Sequence, residues 1–402
     1  GDKVTVTYLR DKKKHNVTLT LRNEQGNTKV VKNADLDVLG GQFRALTDQQ
    51  KEFLSKDHLR QILITKVGSP AVAARWNNHL QAYVEGLGHG VPANTSSDPR
   101  NESRPTDEFN AGSGGKISVW PTPLGLAATF DPEVARSFGE VVSAEYRALG
   151  ITTALSPQAD IAGEPRWRRC LGTFGEDPVL VADFTRAYID AFQTSDGEDE
   201  IEGGWGWGSV NCMVKHWPGG GSGEGGRDAH LGFGKYAVYP GENMQLAVDP
   251  FVKGAFSLEG PTRCASAVMP YYTISYGQDP SGKNVGNGFS HYIIQDVLRD
   301  QYGFTGVVCT DWGITRDTKG VYQRTGRPWG VEYLSVAQRH YEILKAGVDQ
   351  FGGNYQNGPV LEAYELWKAE FGEESAKKRF ALSAKRLLLN FFRTGLFDNP
   401  YL

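Results

Sequence analysis

The stretch Val307-Val308-Cys309-Thr310-Asp311-Trp312-Gly313 decides the fold of this chain. Its short apolar run is typical of a buried parallel strand, and the run ends on a carboxylate that is followed by an aromatic residue and a glycine. In a (β/α)8 barrel the catalytic groups lie at the carboxyl ends of the strands, so a carboxylate at this place indicates chemistry. Asp311 is therefore the first candidate for a catalytic residue.

Five further segments have the same layout, in which an apolar run leads into polar residues. They are residues 90–98, 151–160, 210–218, 264–273 and 346–351. Helical patterns lie between these segments. Alternation of strands and helices, with polar residues collected at strand ends, is the signature of a parallel α/β barrel. The predicted fold class is α/β, a (β/α)8 TIM-like barrel.

The composition argues against several classes of function. The 402 residues carry a net charge of −4, so no basic field favours nucleic acid or an anionic membrane as a partner. The four cysteines are scattered, which favours small buried hydrophobic residues over disulfides or metal ligands. The glycine-rich loop at residues 219–226 lacks the Lys-Ser/Thr ending of a phosphate loop. We expect no metal and no cofactor.

Residues 1–57 differ from the rest of the chain. Apolar residues alternate over residues 4–8 and again over residues 17–21, on either side of a polar turn at residues 11–15, which predicts a β-hairpin with one apolar face. The segment resembles the last strands of a PDZ domain, as in periplasmic trypsin-like heat-shock proteases. It contains no complete PDZ unit and no serine-nucleophile motif. We interpret it as an appended pairing element or a fusion remnant, with the remnant favoured.

Residues 58–402 resemble the catalytic barrel of family 3 glycoside hydrolases. Seven ordered motifs carry the resemblance: residues 90–100 with Ser97-Asp98-Pro99-Arg100, residues 123–131, Pro165-Arg166-Trp167-Arg168-Arg169, Phe174-Gly175-Glu176-Asp177-Pro178, Lys215-His216-Trp217-Pro218-Gly219, Thr310-Asp311-Trp312 and residues 395–401. The sequence departs from the family pattern in two ways. The N-terminal segment replaces the family's first strand and helix, and the family's second, α/β sandwich domain is absent. We therefore expect an altered first βα unit and an N-terminal hairpin extension.

The resemblance implies roles for four residues of the barrel. Asp311 is implied as the nucleophile of a retaining enzyme, in which one of two carboxyl groups attacks the anomeric carbon. Lys215 and His216 would donate to sugar hydroxyls, or form a buried ion pair. Asp98 would accept from two hydroxyls of the terminal sugar, or simply occupy the turn before Pro99.

Three further residues are implied as sugar contacts. Arg169 resembles the family's sugar-binding arginine, although Arg168 stands where the motif usually has glycine. Tyr272 is the expected pocket tyrosine of the pair Tyr271 and Tyr272. Trp312 would stack on a sugar face or pack against the protein.

The general acid/base has two candidates. In many family members it is a glutamate of the second domain, and in the N-acetylglucosaminidase branch it is a histidine of an Asp-x-His element. Asp228-Ala229-His230 has that form, in a loop two residues longer than the usual pattern. Imidazole suits proton transfer near neutral pH, and a neighbouring carboxylate fixes its tautomer.

The sequence therefore favours a retaining exo-acting β-glycosidase, namely a β-glucosidase that hydrolyses terminal non-reducing β-D-glucosyl residues and takes its acid/base from a separate α/β sandwich domain. The alternatives are a β-N-acetylglucosaminidase that uses Asp228 and His230, and a catalytically incomplete sugar-binding fragment. We expect a β-glucoside or oligosaccharide as the substrate. The expected protein partner is a second chain that carries the α/β sandwich domain, or further copies of this chain in a homo-oligomer. The sequence shows no signal peptide or transmembrane run, and a periplasmic or secreted bacterial location is favoured over a cytoplasmic one.

Overall fold

The computed structural model describes residues 3–10, 13–20, 35–38, 41–44, 47–65, 67–102 and 116–402. The chain divides into two compact units, Gly1–Lys51 and Glu52–Leu402. The strands are β1 Lys3–Arg10, β2 Lys13–Thr20, β3 Asp35–Val38, β4 Gly41–Arg44, β5 Gln61–Leu63, β6 Asn94–Ser97, β7 Thr153–Ala154, β8 Glu200–Glu202, β9 Trp205–Gly206, β10 Asn211–Trp217, β11 Tyr236–Ala237, β12 Ala267–Pro270, β13 Ile274–Ser275 and β14 Val307–Val308.

The helices lie mainly between the strands of the second unit. They are α1 Asp48–Ser55, α2 Pro70–Glu85, α3 Pro123–Ala127, α4 Pro132–Ala148, α5 Pro178–Gln193, α6 Met244–Asp249, α7 Val336–Ala346, α8 Gly358–Phe371 and α9 Glu373–Arg393. Two π-helical segments, Pro250–Ala255 and Tyr292–Gln301, add to them. Every helix in the described part of the chain is too short or too polar to span a membrane.

The first unit contains two antiparallel hairpins, β1–β2 and β3–β4. β1 and β2 pair from Lys3 opposite Thr20 to Arg10 opposite Lys13, which agrees with the hairpin predicted from the alternating residues. Residues 11–12 of the predicted turn and Leu21 lie outside the described residues. The likeness of this segment to a PDZ domain and the domain boundary after residue 57 stay predictions.

The second unit is built on a parallel six-stranded sheet in the order β14-β12-β10-β7-β6-β5. Each of these strands pairs with the next sheet strand along the chain, which is the connectivity of a curled barrel sheet. A single parallel bridge joins Cys309 to Gln350, within the last segment predicted as a strand. The predicted α/β, TIM-barrel-like fold class is confirmed.

The edge of this sheet carries a strand and a helix that the sequence patterns did not reveal. β5 pairs in parallel with β6, and α2 connects the two strands. The sequence predicts an altered first βα unit, and at this edge the described residues contain a strand followed by a helix, β5 and α2. Three residues are too short a strand to give a periodic signal, which is why the pattern missed β5.

The two faces of the sheet have different roles. One face carries a buried cluster that fills the barrel interior, formed by Leu155, Met213, Ala267, Met269, Val307 and Cys309. The other face belongs to the large core that includes α4 and α5, where the rings of Tyr188 and Phe192 stack with centroids 4.4 Å apart. Because both faces are buried, the strands are apolar throughout and polar side chains collect at their ends.

Capping residues fix where the covering helices begin. The carboxylate of Asp131 accepts from the backbone N–H of Glu133 at the start of α4. The carboxylate of Asp177 accepts from the N–H groups of Val179 and Leu180 at the start of α5. Each cap is followed by a proline in the first turn, which suits a helix start because that position needs no N–H donor.

Candidate active site

The carboxyl ends of the parallel strands bring the predicted residues to one edge of the sheet. Asp98 follows β6, Lys215 and His216 lie near the end of β10, Tyr272 follows β12 and Asp311 follows β14. In parallel sheets these ends form the usual position of a ligand site. Five residues from four separate segments of the chain thus lie along one edge.

Asp311 is a buried carboxylate held by two donors on the same oxygen. Its Oδ1 accepts from the Tyr272 hydroxyl at 2.7 Å and from the backbone N–H of Trp312 at 2.6 Å. Its Oδ2 lies 4.0 Å from Nε2 of His216. The carboxylate is therefore fixed in orientation through one oxygen, with the second oxygen turned towards His216.

The electrostatic surroundings keep Asp311 ionised. Burial by itself would raise the pKa of Asp311, because it disfavours the charged form. The imidazoles of His216 and His230, the hydroxyl of Tyr272 and the guanidinium of Arg169 outweigh burial, so that the pKa lies below its ordinary value. Asp311 is thus a carboxylate anion in a largely desolvated position.

His216 is held by a residue to which the sequence assigns no role. Its Nδ1 lies 2.7 Å from Oδ2 of Asp160, and both side chains are almost fully buried. Oδ1 of Asp160 also accepts from the backbone N–H groups of His216 and Gly220. Burial would raise the pKa of Asp160, but its bonds to His216 and Gly220 lower it overall, so the carboxylate stays charged.

The protonation of His216 follows from these contacts. Burial and the nearby charge of Arg169 lower the pKa of His216 to about 4, so the imidazole is neutral at neutral pH. A neutral ring that donates Nδ1–H to Asp160 carries its lone pair on Nε2. His216 therefore presents an acceptor at Nε2, where the sequence predicts a donor.

Lys215 and Asp98 form an ion pair at the neighbouring strand ends. Lys215 Nζ lies 2.5 Å from Oδ1 of Asp98, and both side chains are largely buried. The backbone carbonyl of Asp98 accepts from the Tyr146 hydroxyl, which fixes the turn that presents this carboxylate. The two residues thus contact each other directly, as one of the sequence alternatives expects.

Glu102 is a titratable neighbour of this pair that the sequence motifs missed. Burial and the charge of Asp98 raise its pKa, Lys215 opposes them, and the result is a pKa of about 7. It follows Asp98 by four residues and forms a backbone bridge with Trp120. An acidic residue so close to a strand-end aspartate is the signal that could have revealed it.

The two arginines of the Arg168-Arg169 pair have separate partners. Arg168 is half exposed, and its Nε lies 3.1 Å from Oδ2 of Asp228. Arg169 lies over the ring of Tyr271, with 5.9 Å between the guanidinium carbon and the ring centroid. Arg169 is also the arginine of the pair whose charge lowers the pKa of Asp311.

Asp228 and His230 form the dyad that their spacing predicts. Nδ1 of His230 lies 2.6 Å from Oδ1 of Asp228, and the His230 ring centroid lies 4.8 Å from that of Tyr272. Burial would raise the pKa of Asp228, but His230 and Arg168 lower it overall. The structure thus brings the dyad next to the tyrosine that contacts Asp311.

Trp312 is packed against the protein behind the nucleophile candidate. Its indole contacts the buried cluster in the barrel interior. A Cβ atom added to Gly353 would lie 2.5 Å from Cδ1 of Trp312, so a glycine is needed there for the ring to fit. Arg327, which the sequence motifs missed, donates from Nη1 to the carbonyl of Trp312 at 2.9 Å and lies over the Tyr272 ring.

Among the residues that the structure describes, no three His, Cys, Asp or Glu side chains are placed to hold a metal ion. The carboxylates of Asp98, Asp160 and Asp228 contact Lys215, His216 and His230 respectively. Asp311 thus lies among hydrogen-bond donors and acceptors and shares this part of the molecule with other buried carboxylates, including those of Asp160 and Asp228.

Comparison with known proteins decides the family. The family model described as the glycosyl hydrolase family 3 N terminal domain matches residues 28–351. The chain belongs to glycosyl hydrolase family 3. A "Periplasmic beta-glucosidase/beta-xylosidase" of Dickeya chrysanthemi is 41% identical over 346 residues, 83% of this chain and 50% of that protein. "Beta-glucosidase C" of Emericella nidulans is 39% identical over 351 residues, 87% of this chain and 53% of that protein.

The family 3 chain thus spans about half the length of the curated relatives that it matches. Among solved structures, a family 3 β-N-acetylglucosaminidase from Paenibacillus has a TM-score of 0.68 at 22% identity, over 88% of this chain and 60% of that one. A β-glucosidase from Listeria innocua in complex with isofagomine has a TM-score of 0.63 at 22% identity, over 89% and 42%. These structural likenesses show the fold.

Proposed function

We propose that this family 3 barrel acts as a retaining, exo-acting β-glycosidase, and specifically as a β-glucosidase on terminal non-reducing β-D-glucosyl residues. The observation that carries the proposal is Asp311, a buried carboxylate whose pKa is lowered and whose Oδ1 is fixed by Tyr272 and the Trp312 N–H. A retaining enzyme needs such a group to attack the anomeric carbon. Two relatives about 40% identical to the chain are named a β-glucosidase/β-xylosidase and a β-glucosidase, which supports this substrate class.

The proposed reaction uses the two oxygens of Asp311 differently. Oδ1 is occupied by two donors, so Oδ2 is the attacking oxygen. It forms a bond to the anomeric carbon while the bond from that carbon to the aglycone oxygen breaks, which leaves a glycosyl ester on Asp311. Water then attacks the same carbon and passes a proton to the acid/base residue, which is deprotonated after the first step. The bond between that carbon and Asp311 breaks, which releases the sugar with its original anomeric configuration and regenerates the carboxylate.

The residues around Asp311 have proposed binding roles. Asp98 and Lys215 would hold sugar hydroxyls as acceptor and donor, and Arg169 would add a second donor. His216 would accept from a hydroxyl at Nε2, because Asp160 holds its other nitrogen as a donor. Trp312 would support the site from behind through its packing. Each group complements the hydroxyl-rich surface of a sugar.

The aglycone oxygen needs a proton as its bond to carbon breaks. For the β-glucosidase we propose a glutamate of a separate α/β sandwich domain as the donor, whether in a second chain or elsewhere in the protein. The Asp228–His230 dyad favours a second candidate function, a β-N-acetylglucosaminidase with His230 as acid/base, because it lies beside Tyr272. The third candidate is a sugar-binding fragment without activity. It differs from the other two because it would hydrolyse no glycoside.

We also propose a periplasmic or secreted bacterial location. The name of the Dickeya chrysanthemi relative supports it, because that protein is called periplasmic. We further propose that the chain forms a homo-oligomer.

Proton NMR of the released sugar tests the proposed function. The full chain is incubated with 4-nitrophenyl β-D-glucoside and, separately, with the β-D-xyloside and the N-acetyl-β-D-glucosaminide. The proposal expects turnover of the glucoside, with β-glucose as the first product before mutarotation. α-Glucose as the first product would contradict retention, and preference for the N-acetylglucosaminide would favour the His230 candidate. An Asp311→Ala chain is the control for contaminating activity.

A further inference from the structure

A cavity of about 380 Å³ lies at the amino end of β14, and residues of α7, α8, α9 and the π-helical segment Tyr292–Gln301 line it. Phe304 and Thr305 of its lining precede β14, whereas Asp311 follows that strand. The cavity is therefore at the opposite end of the strand from the proposed nucleophile. Its lining includes four basic side chains, Arg299, Lys345, Arg379 and Arg386.

Three of these basic residues share one carboxylate, that of Asp349, whose side chain is fully buried. Nη2 of Arg299 lies 2.7 Å from Oδ2 of Asp349. Nη1 of Arg386 and Nη1 of Arg379 lie 3.0 Å and 3.7 Å from its Oδ1. One carboxylate balances one of the three positive charges. Asp300 also lines the cavity, but it is exposed, so solvent screens its charge.

The pKa values of the arginines agree with an excess of positive charge. Burial lowers the pKa of Arg299 to about 10, Asp349 opposes burial, and the charges of Arg386 and Arg379 act in the same direction as burial. Burial also lowers the pKa of Arg379, against Asp349 and together with Arg386. A further anion beside these guanidiniums would therefore stabilise their charged forms.

Arg386 is the arginine that has donors to offer a ligand. Arg299 and Arg379 donate to backbone carbonyls around the cavity, which fixes their positions. In the part of the chain that the structure describes, only Nη1 of Arg386 has a protein acceptor, Oδ1 of Asp349. Its Nε and Nη2 are left as a fork of two N–H groups, which is the geometry that matches two oxygens of a phosphoryl group.

The remaining walls of the cavity are largely apolar. Leu344, Trp367 and Leu382 line it together with Phe304. The indole N–H of Trp367 already donates to Ser375 at 3.1 Å. A volume of this size is typical of small-molecule sites, and such sites combine apolar walls with a few placed polar groups. The cavity can thus hold more than an inorganic ion.

We propose that this cavity is a second binding site, and that it takes a small organic phosphate. The phosphoryl oxygens accept from Nε and Nη2 of Arg386, and the excess charge of the three arginines favours the anion. The organic part packs against Trp367 and Leu382. The site is independent of the proposed function, because its lining belongs to segments other than those of the catalytic edge.

Isothermal titration calorimetry of the full chain with phenyl phosphate and with inorganic phosphate, at constant ionic strength, tests the site. Arg386→Gln removes the charged fork. Leu382→Glu keeps Arg386 and its bond to Asp349, and it places a carboxylate one turn before Arg386 on α9, where it pairs with the guanidinium and repels an anion.

Leu389→Glu is the matched control for the added carboxylate. Leu389 is 45% exposed and Leu382 is 43% exposed, and both lie on α9. Leu389 also precedes an arginine, Arg393, by one turn, but neither residue lines the cavity. The control therefore has the same change in net charge and helix context.

The wild-type chain is expected to bind both ligands saturably, and phenyl phosphate more tightly, because inorganic phosphate leaves the apolar walls uncovered. The Kd of phenyl phosphate should rise about tenfold in Arg386→Gln and in Leu382→Glu, as for the loss of a charge-assisted hydrogen bond. In Leu389→Glu it should stay at the wild-type value.

Absence of saturable binding to the wild type would overturn the site. An unchanged Kd in both cavity variants would place the bound phosphate elsewhere, and an equal rise in Leu389→Glu would reduce the effect to net charge; either result overturns the proposal. Inorganic phosphate that binds as tightly as phenyl phosphate would overturn the organic ligand in favour of a free phosphate ion.

Discussion

Nδ1 of His216 lies 2.7 Å from Oδ2 of Asp160, and the two side chains are among the least exposed in the chain. The other carboxylate oxygen of Asp160 accepts from the backbone N–H groups of His216 and Gly220. With these bonds the carboxylate cannot turn, and it fixes the imidazole as an Nδ1–H donor. Asp160 is therefore a positioning residue for the acceptor at Nε2 of His216.

Replacement of Asp160 by Asn should invert the tautomer of His216. The amide oxygen would take the place of Oδ1 at the two backbone N–H groups, so the amide NH2 would face Nδ1 and move the ring proton to Nε2. The ¹⁵N shifts of the imidazole should report this change, and kcat/KM should fall about 100-fold. Asp131→Asn, an equivalent change at the cap of α4, is the control. An unchanged tautomer in Asp160→Asn would contradict this role.

The sequence predicted much of this edge because its residues follow apolar runs. Asp98, Lys215, Tyr272 and Asp311 each come directly after or at the end of a strand-like segment, and parallel strands bring such ends together. The exact sheet could not be predicted, since β5 has three residues and the predicted strand at residues 346–351 contributes a single bridge. Short pairings depend on tertiary contacts that no local pattern encodes.

The partners of the site residues could not be predicted either. Asp160 contacts His216 across 56 positions of the chain, and Lys215 contacts Asp98 across 117. The shift in the pKa of Glu102 depends on burial, which a loop sequence does not reveal. Spacing was informative only for Asp228 and His230, because two residues are close enough for a local contact.

Replacement of Tyr272 by Phe should weaken the nucleophile candidate without removing the ring. The variant loses the 2.7 Å hydrogen bond to Asp311, which favours the ionised form. The pKa of Asp311 should therefore rise, so the acid limb of kcat/KM moves to higher pH and kcat falls about 100-fold. Tyr239→Phe, which removes a buried hydroxyl bonded to Ser275, is the control. An acid limb at the wild-type pH would count against the assigned contact.

Glu102 should make the stability of the fold depend on pH. Its pKa is raised from 4.5 to about 7 on folding, so the folded state binds the proton more tightly than the unfolded state. The free energy of unfolding should then fall as the pH rises from about 4.5 to about 7, and Glu102→Gln should abolish this slope. Above pH 7 the variant should be more stable by up to about 3 kcal/mol.

Urea unfolding of both proteins at several pH values measures the effect of Glu102. Glu140→Gln on the exposed face of α4 is the control, and its pH profile should match the wild type. If Glu102→Gln is no more stable than the wild type at pH 8, the carboxyl is not buried in the way described.

The variant His230→Gln should show whether His230 or a glutamate of a separate domain donates the proton to the leaving group. General acid help is typically worth roughly 10²–10⁴-fold and matters most for poor leaving groups. With the donor on a separate domain, the variant should keep the wild-type dependence of kcat/KM on the pKa of the phenol in aryl β-glucosides. Addition of that domain should raise the activity of the chain. Selective loss of substrates with poor leaving groups would instead make His230 the acid.

The most direct test of Asp311 as nucleophile is to trap the glycosyl ester with 2,4-dinitrophenyl 2-deoxy-2-fluoro-β-D-glucoside. The fluorine slows hydrolysis of the ester, and the activated leaving group needs little proton donation. Intact mass should increase by one fluoroglucosyl group, and peptide mapping should place the label on Asp311, with no label in Asp311→Asn. A label on any other carboxylate of the wild-type chain would contradict the account.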